Sequence, residues 1–191
     1  EAFQRHLDAG ATAIVCINLS SAISATMQSA ITAAGEFDAD IRIVDSKSIT
    51  AGQGSIVLGA ARLAAAGASA DEVVAATESM SERTHVFGAL DTLENLQKGG
   101  RIGNAQALLG SMLSIKPIID ISSGAVEEAG KQRTRKKSLA WLRDKLADFD
   151  TVENLAIMHG EAPDIDQFIT LLSEVTDISN VRIEKIGPVV G

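Results

Sequence analysis

The sequence predicts an α/β protein: an N-terminal parallel-sheet α/β/α domain, incomplete within this chain, then a second α/β domain whose sheet is partly antiparallel. Three observations carry that expectation. An apolar run at residues 12–19 leads through helical spacing to a second apolar run at 41–44, the strand–helix–strand order of a parallel crossover. Next, "IKPIIDISSGAVEEAG" at 115–130 sets two strand-like runs around the turn signal "SSG", as an antiparallel hairpin does. The last stretch, from "LAIMHG" to "VRIEKIG", again runs strand, helix, strand.

Each element has its own signal. "EAFQRHLDAG" at 1–10 reads as a helix closing on Gly10, because glycine accepts the positive φ of a C-terminal cap. Residues 12–19 are apolar except at their ends, as in a strand covered on both faces. Ile23, Met27, Ala30, Ile31 and Ala34 recur at helical spacing and predict a helix over 23–34. After the strand at 41–44, "DSKSITAGQG" at 45–54 reads as a polar loop, and 56–66 as an alanine-rich helix ended by Gly67. "SADE" at 69–72 fits a capping box that opens a helix to about Met80. Residues 85–90 form a buried strand, "QKGGRIG" at 97–103 breaks the periodicity, and 105–113 resume as a helix. An amphipathic helix carrying Trp141 spans 134–146, and Pro163 stands near the start of the next. A domain boundary is expected near Arg83, dividing 1–83 from 84–191.

With 191 residues the chain can bury one larger core or two small ones. Hydrophobic residues at 46% against 22% charged describe a globular protein rather than a disordered one. No apolar run approaches the ~18–20 residues of a membrane span, and no basic-then-apolar leader opens the chain. The expectation is a cytoplasmic protein with no integral membrane segment. The chain starts at Glu1 without Met, inside what reads as the last turns of a helix, and closes on "GPVVG". Both ends read as cuts through a larger sequence.

A formal charge of −8 argues against nucleic-acid binding. Five Phe, one Trp and no Tyr leave little from which to build a base-stacking platform, so aliphatic side chains must line any apolar pocket. Cys16 is the one cysteine. It excludes a disulfide within the chain and reads as a buried structural thiol. His6, His85 and His159 show no zinc-ligand spacing and read as satisfied structural histidines, and no GxSxG elbow offers a nucleophile. No metal is expected.

The chemistry gathers at "NLSSAISATMQSA", residues 18–30. Ser20, Ser21, Ser24 and Thr26 lie where a strand hands over to a helix, the place where open α/β sheets bind ligands. Two readings fit. The hydroxyls cap the helix, with Ser20 or Ser21 as N-cap, or they hold an anion, which free N–H groups and the helix dipole favour by roughly 0.3–1 kcal/mol. No Lys or Arg occurs between Arg5 and Arg42, and the lysine and glycine-rich turn of a phosphate loop are both missing. Neutral donors of this kind suit one carboxyl group better than a polyphosphate. Asp45 and Ser46 follow the next strand, either near Ser24 across adjacent strand ends or closing an Asx turn of their own.

Six motifs then resemble one family in its order: "SSAISAT" (20–26), "VDSKSITAGQG" (44–54), "LENLQKGGRIG" (93–103), "LGSMLSIKPII" (109–119), "KQRTRKKS" (131–138) and "IGPVVG" (186–191). The chain resembles the DegV family of bacterial fatty-acid-binding proteins over almost its whole length. The resemblance implies a non-enzymatic carrier that presents a long-chain fatty acid to a separate ATP-dependent fatty-acid kinase, with no cofactor besides the bound lipid. It implies that Ser24 hydrogen-bonds the carboxyl, that Ser20 and Ser21 shape the loop with Thr26 beside them, and that the tail lies in an apolar tunnel between two domains. At ~0.8 kcal/mol per buried methylene the tail supplies most of the affinity.

Three departures accompany the resemblance. Ala25 stands where the family has glycine, altering how closely a head group approaches. The family's first aspartate-containing strand with its Thr-Ser-Gln-Pro loop has no counterpart before Glu1, nor has its His-containing stretch after Gly191. The pocket encoded here is therefore expected to be incomplete.

Arg101 in "QKGGRIG" reads either as a head-group or partner contact or as a structural ion pair. "KQRTRKKS" concentrates Lys131, Arg133, Arg135, Lys136 and Lys137, either as solvated helix charge or as a docking face for the kinase, with Arg133 a candidate contact. The rival reading is a small-molecule phosphoryl- or acyl-transfer enzyme using the 20–26 and Asp45 cluster. The missing lysine, histidine partner and paired carboxylates stand against it.

Overall fold

The computed structural model describes residues 1–110 and 115–187. The chain is α/β and divides into two compact units, Glu1–Val86 with Ser122–Ala125, and Phe87–Ile121 with Val126–Gly191.

The first unit begins with α1 (Ala2–Asp8), closed by Ala9 and by Gly10 at φ +90°. Then follow β1 (Ala13–Asn18), α2 (Thr26–Ala34), β2 (Asp40–Asp45), α3 (Thr50–Ala65) and α4 (Ala70–Glu82). β1 and β2 pair in parallel, in register from Ala13↔Asp40 to Asn18↔Asp45, so both strands end on the same side. α2 and α4 pack on this pair, and α3 packs on α4. Val44, Ile56, Ala60 and Val73 are buried in its core. Ser69 caps α4: its hydroxyl accepts from the Glu72 N–H while the Glu72 carboxylate accepts from the Ser69 N–H, the reciprocal box expected from "SADE".

Three expectations need correction here. β1 is half-buried over most of its length rather than covered on both faces, because among the described residues it has one strand neighbour, β2. Cys16 is accordingly half-buried. α3 starts six residues before position 56 and absorbs half of the supposed polar loop. Its glycines suggest a loop, but Gly52 is there for close approach: a Cβ on it would stand 2.7 Å from Val86 Cγ2.

In the second unit β3 (Phe87–Ala89), β4 (Lys116–Asp120) and β5 (Glu127–Gln132) form an antiparallel sheet in that order. Between β3 and β4 come α5 (Glu94–Lys98) and a 3-10 helix, Gly103–Gly110. An α-helix was expected over 105–113; the segment is instead drawn tight, with Gly103 at φ +51° and the Asn104 N–H on the Val126 carbonyl at 2.9 Å. Residues 111–113 of that expectation lie outside the described residues. α6 (Arg135–Ala147) packs on the antiparallel sheet, its Trp141 ring edge-on to Phe87 at 5.8 Å. Thr134 caps it, accepting from the Lys137 N–H at 3.3 Å. β6 (Ala156–His159) and β7 (Arg182–Lys185) pair in parallel around α7 (Ile165–Leu172). Ile118, Ile119, Ile121, Leu139, Ile157 and Leu172 form the buried apolar interior.

Among the described residues no helix is long and apolar enough to cross a membrane, and no group of three or more His, Cys, Asp or Glu side chains is placed to hold a metal ion.

Candidate functional site

The parallel register carries the site. Because Asn18 pairs with Asp45, the segments leaving β1 and β2 emerge side by side, and both are rich in serine. Ser20, Ser46 and Ser48 are 1%, 0% and 2% exposed, which is deep burial for residues that follow strand ends. The Ser20 N–H donates to the Ser48 carbonyl and the Ser46 N–H to the Asn18 carbonyl, at 2.9 and 3.0 Å. These bonds extend the β1–β2 ladder beyond its last pair.

Within this frame the hydroxyls divide into two kinds. Ser20 Oγ donates to the Gly124 carbonyl at 2.5 Å, and Ser21 Oγ donates to Asp45 Oδ2 at 2.5 Å. Both are occupied by the protein itself. Ser24 and Thr26 instead bond each other, Oγ to Oγ1 at 2.8 Å, and the Thr26 N–H donates to Ser24 Oγ at 3.2 Å. One mutual bond uses one of their two hydroxyl protons, so the pair keeps a donor for a ligand.

The helix these residues precede starts later than its periodicity suggested. α2 opens at Thr26 with Ala25 as N-cap; Ala25 has no capping side chain, and Ser24 Oγ accepts from the first helical N–H, that of Thr26. The capping reading of Ser20 and Ser21 is thereby corrected: the intervening turn has the Ile23 and Ser24 N–H groups on the Ser20 carbonyl, each at 3.1 Å. The first turn of α2 holds no acidic residue, so its N–H groups and dipole face no competing charge of their own helix. Ala25 has φ −77° and ψ 6°, a conformation open to any residue, so alanine sits in the family's glycine position without strain.

Asp45 closes the expected Asx turn, and the loop residue it bonds is Ser21. Its Oδ1 accepts from the Lys47 N–H at 2.8 Å, an Asx turn, while Ser21 N–H lies 3.3 Å from each carboxylate oxygen. Two features escaped sequence reasoning. Gly124, at φ +92°, brings its carbonyl to Ser20 from a turn 104 residues away. The Ser48 hydroxyl is buried with no hydrogen-bond partner among the described residues. The "SSG" turn signals the hairpin that carries Gly124 but not its contact with Ser20; nothing local signals the second.

The remaining candidates are placed elsewhere. Arg101 and Arg133 belong to the second unit and are exposed, and Arg101 turns one guanidinium nitrogen onto the Gly99 carbonyl at 2.6 Å. Arg135, from the same basic run as Arg133, is structural: it grips Asp164 at 2.8 Å and the Ala89 carbonyl at 2.9 Å. That guanidinium holds the Asp164 carboxyl below its ordinary range. His85 Nδ1 lies 3.2 Å from Ser122 Oγ. His159 departs from expectation, since its Nδ1 is buried without a hydrogen-bond partner among the described residues.

The DegV family model, described as "Uncharacterised protein, DegV family", matches residues 1–191. The chain belongs to the DegV family. A DegV domain-containing protein of Streptomyces coelicolor is 35% identical over 195 residues, covering 100% of this chain and 69% of that protein. Among solved DegV structures, a protein from Thermus thermophilus described for its fatty acid binding superposes with TM-score 0.87 at 30% identity, covering 99% of this chain and 69% of that one. A fatty acid binding DegV protein from Streptococcus agalactiae gives TM-score 0.90 at 28% identity, covering 99% and 69%. Of the DegV-like motifs, 111–114 and 188–191 lie outside the described residues.

Proposed function

We propose that this chain binds a long-chain fatty acid with its carboxyl on the Ser24–Thr26 hydroxyls, and presents it in the cytoplasm to a separate ATP-dependent kinase for acyl-phosphate formation. It contributes no catalytic group of its own. One observation carries this reading: of the four hydroxyls on the loop, Ser20 and Ser21 are taken up by Gly124 and Asp45, while among the described residues Ser24 and Thr26 bond within their own turn, at the N-terminus of α2. Support comes also from DegV neighbours of similar fold that are described as binding fatty acids. Two or three neutral donors orient a carboxyl, and burial of methylenes at ~0.8 kcal/mol each provides the affinity. The exposed cations Arg101 and Arg133 are proposed contacts for the head group or for the kinase.

Organic extraction of the purified protein followed by mass spectrometry tests the reading. A bound fatty acid, or uptake of labelled palmitate or oleate, is the expected result. Neither a recovered lipid nor any uptake would overturn it.

The Ser21–Asp45 contact is the one feature favouring the rival, a transfer enzyme with Ser21 as nucleophile. Asp45 already accepts from two backbone N–H groups, which suits an anchor better than a base. ATP turnover by the isolated protein would favour the rival.

A further inference from the structure

We propose that Asp45 is the positioning and specificity-determining residue of the serine loop. It fixes Ser21 so that the Ser24–Thr26 pair stays available, and its charge turns the loop against doubly charged head groups. The assignment rests on the reading that this loop takes a lipid carboxyl.

The positioning follows from the hydrogen bonds. Asp45 ends β2, and its carboxylate draws in Ser21 through the hydroxyl at 2.5 Å and the N–H at 3.3 Å. Its neighbour Ser20 is held through its N–H by the Ser48 carbonyl at 2.9 Å and through its hydroxyl by Gly124 at 2.5 Å. Two adjacent residues are thus anchored to the segment after β2 and to the Gly124 turn, and the Ser24 N–H closes one turn back onto the Ser20 carbonyl at 3.1 Å. Ser24 therefore inherits its place from these anchors. Without Asp45, Ser21 keeps no side-chain anchor, and the exposed turn behind Ser24 gains freedom that binding must remove.

Charge acts beside this positioning. Asp45 sets a carboxylate on Ser21, three positions before Ser24 in the chain; of the cations flanking it in sequence, Arg42 is paired with Asp40 and Asp71, and Lys47 follows two residues on. A carboxyl head brings at most one negative charge to this place. A phosphate monoester brings nearly two, so it meets roughly twice the repulsion from the same fixed charge. Asn at position 45 keeps the shape and an oxygen acceptor for the two backbone N–H groups, removes the charge, and reverses the Ser21 contact so that the amide NH2 donates to Ser21 Oγ.

The test compares oleate and oleyl phosphate binding by calorimetry at low ionic strength, where such repulsion is least screened. For Asp45→Ala, oleate binding should weaken about tenfold, the equivalent of one to two lost orienting hydrogen bonds. For Asp45→Asn, oleate binding should stay within about threefold of wild type while the preference for oleate over oleyl phosphate falls several-fold. Should Asp45→Ala fail to fold, Asp45→Asn decides alone. Wild-type oleate affinity in Asp45→Ala, or an unchanged oleate-to-phosphate ratio in Asp45→Asn, would overturn the assignment of Asp45 and leave the lipid reading standing. Wild-type protein that binds neither ligand overturns both.

Discussion

Ser20 Oγ donates a 2.5 Å hydrogen bond to the carbonyl of Gly124, joining the loop after β1 to a turn 104 positions along the chain. Ser20 is 1% exposed, so removing its hydroxyl strands a carbonyl that water cannot easily reach. Ser20→Ala should cost about 1–2 kcal/mol in urea unfolding. Gly124→Ala should cost a similar ~1–2 kcal/mol, because φ +92° disfavours any Cβ and the added methyl would stand 3.0 Å from Ser20 Oγ. A loss below about 0.3 kcal/mol for both variants would show that this bond does not hold the loop.

Ser48 makes the opposite case. It is 2% exposed and its Oγ has no hydrogen-bond partner among the described residues, so its hydroxyl is desolvated without return. Ser48→Ala should be neutral or stabilising by up to ~1 kcal/mol, against the clear loss at Ser20. Equal destabilisation of the two variants would mean that Ser48 has a partner in solution.

Gly52 reverses a general rule. Gly→Ala in a helix interior ordinarily stabilises by ~0.5–1 kcal/mol. At Gly52 a Cβ would crowd Val86 at 2.7 Å and Thr84 at 3.2 Å, as well as Ser48, so Gly52→Ala should destabilise by about 1–3 kcal/mol. Thermal unfolding beside Gly54→Ala, a position with nothing within 4 Å of the added Cβ, provides the internal control.

How much of this was legible in the sequence depends on the range of the interaction. Apolar runs located β1 and β2, "SADE" located the Ser69–Glu72 cap, and "SSG" located the hairpin, because each signal lies within a few residues of what it specifies. The start of α3 was hidden, since Gly52 serves tertiary packing and reads locally as a helix breaker. The site was legible as a cluster of hydroxyls but not in its division of labour. Which serine is occupied depends on Asp45, 24 positions from Ser21, and on Gly124. The parallel register that brings Asp45 beside the loop could have been anticipated, but the Gly124 contact could not, because no periodicity connects it to β1.

Acid should unfasten the Arg135–Asp164 pair. Arg135 lowers the Asp164 pKa chiefly through its hydrogen bond, so the folded state binds this proton less readily than the unfolded chain. The pair's stabilisation is complete above the unfolded carboxyl value of about 4 and is lost as pH falls through the lower folded value. Arg135→Met should lower stability by ~1–3 kcal/mol at pH 7, since the two side chains are only 30% and 17% exposed. It should also flatten the acid limb of the urea midpoint against pH below about pH 4. An acid limb identical to wild type would show that the pair does not set it.

The Ser24–Thr26 hydroxyls, held in place by their neighbours, are proposed to receive a fatty-acid carboxyl. The decisive experiment is calorimetric titration of oleate into wild-type and Ser24→Ala protein, with the fold checked by circular dichroism. Wild type should bind oleate, and Ser24→Ala should bind it about tenfold more weakly. Equal affinity for the two proteins, or no binding by either, would rule the proposed role of these hydroxyls out.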